Sequence, residues 1–174
     1  AGWRPVSWDE ADAAVRELAN GLLALGIGHG DRVAILCSTR LEWCLLDFAL
    51  ALTGATSVPV YPSSSAREVA YVLGHAGVVA VVAETPQQVE TVAAARRELP
   101  CLRHVLRVDE LEALRARGRD HATVDPGALA AATSNVSDDD VYTVIYTSGT
   151  TGPQKGCIIT HRGYHTMAAT IDEV

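Results

Sequence analysis

Apolar and polar positions along this chain change period in blocks, and the blocks mark its elements. Ala11, Ala14, Val15, Leu18, Leu22 and Leu25 recur at the spacing of one helical face. Ser7 and Glu10, just ahead of them, stand at capping-box spacing, where each side chain satisfies a free backbone donor of the other. The glycines of "GIGHG" follow this helix instead of a strand, so they read as a C-cap and not as a dinucleotide fingerprint. Short β-branched runs then predict strands over Arg32–Cys37, Thr56–Tyr61, Val78–Glu84, Leu102–Asp109 and Val141–Thr147.

Helical patterns lie between those runs. Arg40–Ala55 is apolar, with Glu42 and Asp47 expected on its wetter side and Trp43 and Phe48 in the core. Ser63–Gly77 repeats the capping box with Ser65 and Glu68. Thr85 and Pro86 supply an N-cap and a first-turn proline for Thr85–Leu99. Glu110–Arg119 predicts a short charged helix, and Asp120–Asp140 a weak helix within a surface connection. Cys157–His161 suits one further strand, with Thr160 capping a last helix.

Strand and helix alternate at least three times. That order predicts an α/β fold, a layered sandwich in which a parallel sheet carries helices on both faces. Ligands of such sheets bind beyond the carboxyl ends of the strands. At 174 residues, 48% hydrophobic and 20% charged, the chain suits one globular unit or a piece of a larger one. We divide it at residue 140, into an α/β part (1–140) and a strand, loop and helix (141–174).

The net charge of -7 argues against nucleic acid and anionic membrane surfaces as partners. No run approaches the length of a membrane span. Cys37, Cys44, Cys101 and Cys157 show no Cys-x-x-Cys spacing, and most are expected to be small reduced core residues. With no secretory pattern at the start, the expected location is cytoplasmic.

Charge is also distributed unevenly. From Val141 to Thr170 there is no Asp or Glu, while Lys155 and Arg162 are present. Within that stretch lies "YTSGTTGPQKG" (Tyr146–Gly156), which follows a predicted strand. Glycine-rich backbone amides can converge on phosphate oxygens, hydroxyls add donors or magnesium ligands, and a lysine adds charge. A Walker A loop fits poorly: Gln154 replaces its second Gly, Gly156 replaces its Ser/Thr, and the following residues are strand-like.

The stretch resembles the signature loop of the adenylate-forming (ANL) superfamily, T-S-G-[ST]-T-G-x-P-K-G. Thr147–Gly152, Lys155 and Gly156 match, while Gln154 stands where that pattern has proline. In order, "GDRVAIL", "EWCLLDFALALTGATSVPVYPSSSAREVAYVL" and "YTSGTTGPQKGCIITHR" resemble the N-terminal region of bacterial long-chain fatty acid–CoA ligases. The resemblance implies the front part of an ANL large domain. It implies ATP-dependent activation of a long-chain fatty acid to acyl-adenylate, then thioester formation with coenzyme A, with magnesium accompanying ATP. It assigns Thr147, Ser148, Gly149, Thr150, Thr151, Gly152 and Lys155 to the leaving diphosphate, Lys155 as the catalytic charge and Thr147 as a magnesium contact. It places the adenine, ribose and acyl sites and a later catalytic lysine in the remainder of the enzyme, so that this piece alone is inactive. The partners it implies are small molecules, that remainder and, left open, a second copy in a homodimer.

Two alternatives stay open. One is another adenylate former: an acyl-AMP ligase, a carboxylic acid reductase or a peptide-synthetase domain. The other is a non-catalytic flavodoxin-like module. Several smaller features have plainer readings. "YPSSS" could hold an anion, but capping by Ser65 suffices. His161 and His165 lack a third metal ligand and read as surface or packing residues, with His161 near the loop. Asp138, Asp139 and Asp140 read as a solvated cap ahead of a strand.

Overall fold

The computed structural model describes residues 4–147 and 153–172. Six strands form one sheet in the order β4-β3-β1-β2-β5-β6. They are β1 Arg32–Leu36, β2 Thr56–Val60, β3 Ala80–Ala83, β4 His104–Arg107, β5 Val141–Thr147 and β6 Lys155–Thr160. Strands β1 to β5 pair in parallel, and β6 runs antiparallel to β5 at the edge. The sheet is therefore mixed, and its antiparallel pair is a hairpin. The helices are α1 Trp8–Ala24, α2 Leu41–Thr53, α3 Ala66–Ala76, α4 Pro86–Ala94, α5 Leu111–Val124, α6 Ala128–Ser134 and α7 His161–Asp172.

The period-two rule sorts the core into two layers. Val33 and Ile35 of β1 face a cluster containing Val15, Leu18 and Leu22 of α1, Leu46 and Leu50 of α2, and Leu114 of α5. Ala34 and Leu36 face the opposite cluster, with Val69, Val72 and Leu73 of α3 and Val92 of α4. Helices thus cover both faces. Local signals placed them: Ser7 with Glu10, Ser65 with Glu68, and Thr85 with Gln88 all form two-way capping boxes. The Thr160 hydroxyl accepts the Gly163 N–H at 3.2 Å, capping α7.

Several expectations are corrected. Asp47 is buried, not on a wet face. Phe48 is exposed, because it lies on the face of α2 turned from the sheet, beside exposed Trp8 and Leu41 in a groove between α1, α2 and α7. Trp43 is partly buried against the core. Only Cys37 of the four cysteines is buried; Cys44, Cys101 and Cys157 are exposed. An apolar neighbourhood in sequence does not choose which face of a helix or edge strand a thiol occupies. α5 is also longer than expected, because Leu111, Leu114 and Gly118 give it a buried stripe against α1.

That stripe depends on two glycines. A Cβ on Gly118 would sit 1.9 Å from the Glu17 carbonyl oxygen, and one on Gly21 would sit 2.4 Å from the Leu114 carbonyl oxygen. The backbones of α1 and α5 therefore touch. Around the contact, Glu17 accepts from Arg115 at 2.8 Å and Arg119 at 2.9 Å, so the charged face of α5 also grips α1.

In an open helix, Gly→Ala stabilises by about 1 kcal/mol. Gly118→Ala should instead destabilise by about 1–3 kcal/mol through overpacking, read as a lower urea midpoint. Gly74→Ala on α3, whose nearest atom beyond its own helix would be Leu99 Cδ2 at 3.6 Å, should raise it. A midpoint unchanged or raised by Gly118→Ala contradicts the backbone contact.

Candidate functional site

Two neighbouring strands bring together two of the sequence-predicted residues, Thr147 and Lys155. β5 is held in the sheet by more than its ladder: the Thr56 hydroxyl donates to the Val141 carbonyl at 2.8 Å, and the Thr143 hydroxyl to the Ser57 carbonyl at 3.1 Å. β6 then folds back on it with Thr147 opposite Lys155, Tyr146 opposite Gly156 and Ile145 opposite Cys157. Gly156 is required by closeness. A Cβ there would lie 2.8 Å from Val144 Cγ1 and 3.3 Å from the Tyr146 ring.

The signature stretch is thus the connection of a hairpin, and its last paired residues are Thr147 and Lys155. Ser148, Gly149, Thr150, Thr151 and Gly152 lie outside the described residues. Thr147 and Lys155 are both exposed, and no carboxylate pairs with Lys155 among the described residues. Lys155 is also the sole lysine of the sequence. A strand, not a helix, follows it, as the strand-like run after the loop suggested.

Beside these residues lies a crevice of about 370 Å³ lined by Tyr61, Ser63, Ser64, Glu68, Tyr146, Thr147 and Gln154. It opens at the carboxyl ends of β2 and β5, where parallel sheets bind ligands. A second crevice of about 310 Å³ adjoins it, walled by Cys37, Trp43, Pro59, Tyr61, Ile145 and Tyr146. Glu68 lines the first of these crevices, and it is already committed. It accepts from the Ser65 N–H at 2.7 Å and hydroxyl at 2.8 Å, and these bonds hold its carboxyl below the ordinary range. The serines of "YPSSS" include the α3 cap, as expected.

Magnesium demands several oxygen ligands and is commonly held by one or two protein groups plus phosphates. Thr147 offers one hydroxyl at the edge of the loop. Among the described residues no three His, Cys, Asp or Glu side chains converge as a metal site. Thr147 thus fits as a partial ligand for an ion carried by phosphate oxygens, not as part of a dedicated cage.

Three features were invisible in the sequence. Glu84, at the end of β3, accepts from the Ser38 N–H at 2.8 Å and from Arg40 at 3.1 Å, closing the carboxyl ends of β1 and β3. Tyr71 and His75 of α3 reach the two sides of the hairpin. Asp47 accepts from the Tyr142 hydroxyl at 2.5 Å inside the protein. Each pairing crosses more than forty residues of chain, so no local pattern announced it.

His161 is not near the loop. It follows Thr160, which pairs with Val141 at the far end of the hairpin from Lys155. Five strand steps of about 3.3 Å, roughly 16 Å, already separate Thr160 from Lys155. His161 is a packing residue, edge-on to Tyr142, and burial lowers its pKa. His165 is exposed, 3.6 Å from Asp138. The aspartates do more than cap. Asp138 and Asp139 pair with Arg162 at 3.4 and 3.0 Å, and Asp140 accepts the Ser137 N–H and meets His29 Nε2 at 2.8 Å.

Burial raises the Asp47 carboxyl, partly offset by the Tyr142 hydrogen bond. A raised folded value means that the native state favours the protonated acid. The resulting stability is full below the unfolded value and is lost as pH rises through the folded one. Asp47→Asn keeps an acceptor for Tyr142 and removes the charge. Its stability relative to the parent should therefore improve from about pH 4 to about pH 7 in urea titrations. A relative stability that falls over that range contradicts a strained buried carboxylate.

The family described as AMP-binding enzyme matches residues 1–174. The long-chain-fatty-acid–CoA ligase FadD15 of Mycobacterium bovis is 42% identical over 163 residues, covering 91% of this chain and 27% of that protein. A Mycobacterium tuberculosis fatty acyl CoA synthetase structure superposes with a TM-score of 0.79 at 28% identity, covering 97% of this chain and 32% of that one. ATP-bound MatB from Rhodopseudomonas palustris gives 0.79 at 27% identity, with the same two coverages of 97% and 32%. The chain therefore spans about a third or less of the length of these relatives.

Proposed function

The chain belongs to the AMP-binding enzyme family, and from that premise we propose that it forms the diphosphate-gripping part of a long-chain fatty acid–CoA ligase. One observation carries the reading. The exposed pair Thr147 and Lys155 closes the hairpin that bears the signature stretch, at the carboxyl end of β5. A charge free of carboxylate partners among the described residues is available to an anion.

In the proposed reaction a fatty carboxylate oxygen attacks the α-phosphorus of ATP. The bond to the bridging oxygen breaks, and that oxygen leaves on diphosphate. Negative charge builds on the leaving group, so fixed donors aimed at it lower the barrier. Lys155 supplies the cation, and Thr147 with Ser148, Gly149, Thr150, Thr151 and Gly152 supplies hydroxyl and amide donors. Thr147 would help hold magnesium, which when bound with ATP would supply neutralisation of phosphate charge. Coenzyme A thiolate then displaces AMP from the acyl-adenylate to give the thioester.

Because the chain spans 27% of the FadD15 length, complete turnover belongs in this proposal to a longer protein. The rest of that protein would supply the adenine, ribose and acyl contacts and the later catalytic lysine. This chain alone would be inactive. Long-chain acids rank first because the 42% identical relative carries that name. The described residues contain no helix long and apolar enough to cross a membrane. A cytoplasmic setting, where ATP and coenzyme A are available, completes the proposal.

In the full-length protein, Lys155→Ala should slow fatty-acid-dependent ATP–diphosphate exchange by about 10²–10³-fold, the effect of losing one donor to a developing charge. Long-chain acids should support the parent's exchange far better than acetate. Undiminished exchange in the variant contradicts the assignment of Lys155.

A further inference from the structure

Helix α3 presents two polar rings to the hairpin, four residues apart. Tyr71 and His75 stack with centroids 5.5 Å apart. The Tyr71 hydroxyl donates to the Gln154 carbonyl at 3.0 Å. His75 Nδ1 and the Tyr146 hydroxyl share a hydrogen bond of 2.7 Å, with the two rings edge to face at 5.7 Å. Tyr146 immediately precedes Thr147, and Gln154 immediately precedes Lys155. One turn of one helix therefore holds both ends of the signature loop.

The two bonds act differently. Tyr146 is a buried strand residue, packed among Val69, Val72 and Leu73, and His75 fixes where its ring tip rests. Gln154 lies just outside the β5–β6 ladder, one residue before Lys155, and the Tyr71 hydroxyl holds its carbonyl. The peptide unit is planar and trans, so fixing the Gln154 carbonyl also fixes the direction of the Lys155 N–H. This matters because the loop is rich in glycine. A glycine-rich sequence has more conformational freedom to lose on gripping a ligand, and anchoring its ends lowers that cost.

We propose that Tyr71 and His75 are positioning residues for adenylate formation: they fix the strand ends that carry Thr147 and Lys155, so that these two residues meet the leaving diphosphate without a search. This rests on the phosphate-loop reading above. Neither residue touches substrate in this role. The role also makes a distinction that a merely structural one does not. Thioester formation from acyl-adenylate and coenzyme A releases AMP and involves no diphosphate, so it does not need the loop held in place.

The test uses the full-length protein and both half-reactions. Tyr71→Phe keeps the stacked ring and removes only the hydroxyl. His75→Ala removes the other anchor, while His75→Asn can restore a polar atom near the Nδ1 position. Tyr71→Phe and His75→Ala should each slow ATP–diphosphate exchange about 10–100-fold, the scale of small misplacements at a reacting centre. His75→Asn should recover most of that loss. Acyl-CoA formation from supplied acyl-adenylate should change less than about twofold, well below the exchange effect. Equal losses in both half-reactions, with a lowered melting temperature, would make the contacts structural and overturn the proposal. So would unchanged exchange in Tyr71→Phe and His75→Ala. Lys155→Ala serves as the separating control. If it slows exchange while the α3 variants do not, the loop reading stands and the positioning role falls. If it leaves exchange intact, the loop reading itself falls.

Discussion

The register of one antiparallel pair governs the site. Thr147 faces Lys155 because β6 folds back on β5, and Gly156 permits it, with no room for a Cβ beside Val144 and the Tyr146 ring. A slip of one residue would turn every side chain of β6 to the other face. The lysine would then leave the side occupied by Thr147. Thr56 and Thr143 hydroxyls secure β5 against β2, and this fixes the hairpin relative to the parallel sheet. The carboxyl-end crevice, the exposed lysine and the reach of α3 all follow from that register.

The electrostatics suit an anion for the same geometric reason. Several acids of the protein are spent on structure. Glu68 caps α3, Glu84 ties Ser38 and Arg40 across strand ends, and the aspartates before β5 hold Arg162, His29 and the Ser137 amide. Hydrogen bonds hold the carboxyls of Glu68, Glu84 and Asp140 below the ordinary range. An acidic protein thus leaves its single lysine, at the hairpin end, without a carboxylate partner among the described residues.

What could be read from the sequence was what is local. Ser65 with Glu68, and Thr85 with Pro86, specify helix starts within three residues, and both stand as expected. β-branched runs gave the parallel strands, since a strand buried on both faces needs no alternation. The order of donors from Thr147 to Lys155 pointed to the candidate site. Side-chain facing was less legible. Asp47 and Phe48 are adjacent on α2, and their expected environments were reversed, because only the packed sheet decides which side of a mostly apolar helix is inside. Tyr71, His75 and Gln154 were silent for a related reason. Their contacts join positions 71 and 83 residues apart, and no spacing rule reaches that far.

The most direct test is a crystal structure of the full-length protein with a non-hydrolysable ATP analogue. The account predicts the β- and γ-phosphates within the 147–155 loop, with Lys155 Nζ in hydrogen-bond contact with their oxygens. Phosphates bound elsewhere, with Lys155 in solvent, would contradict it.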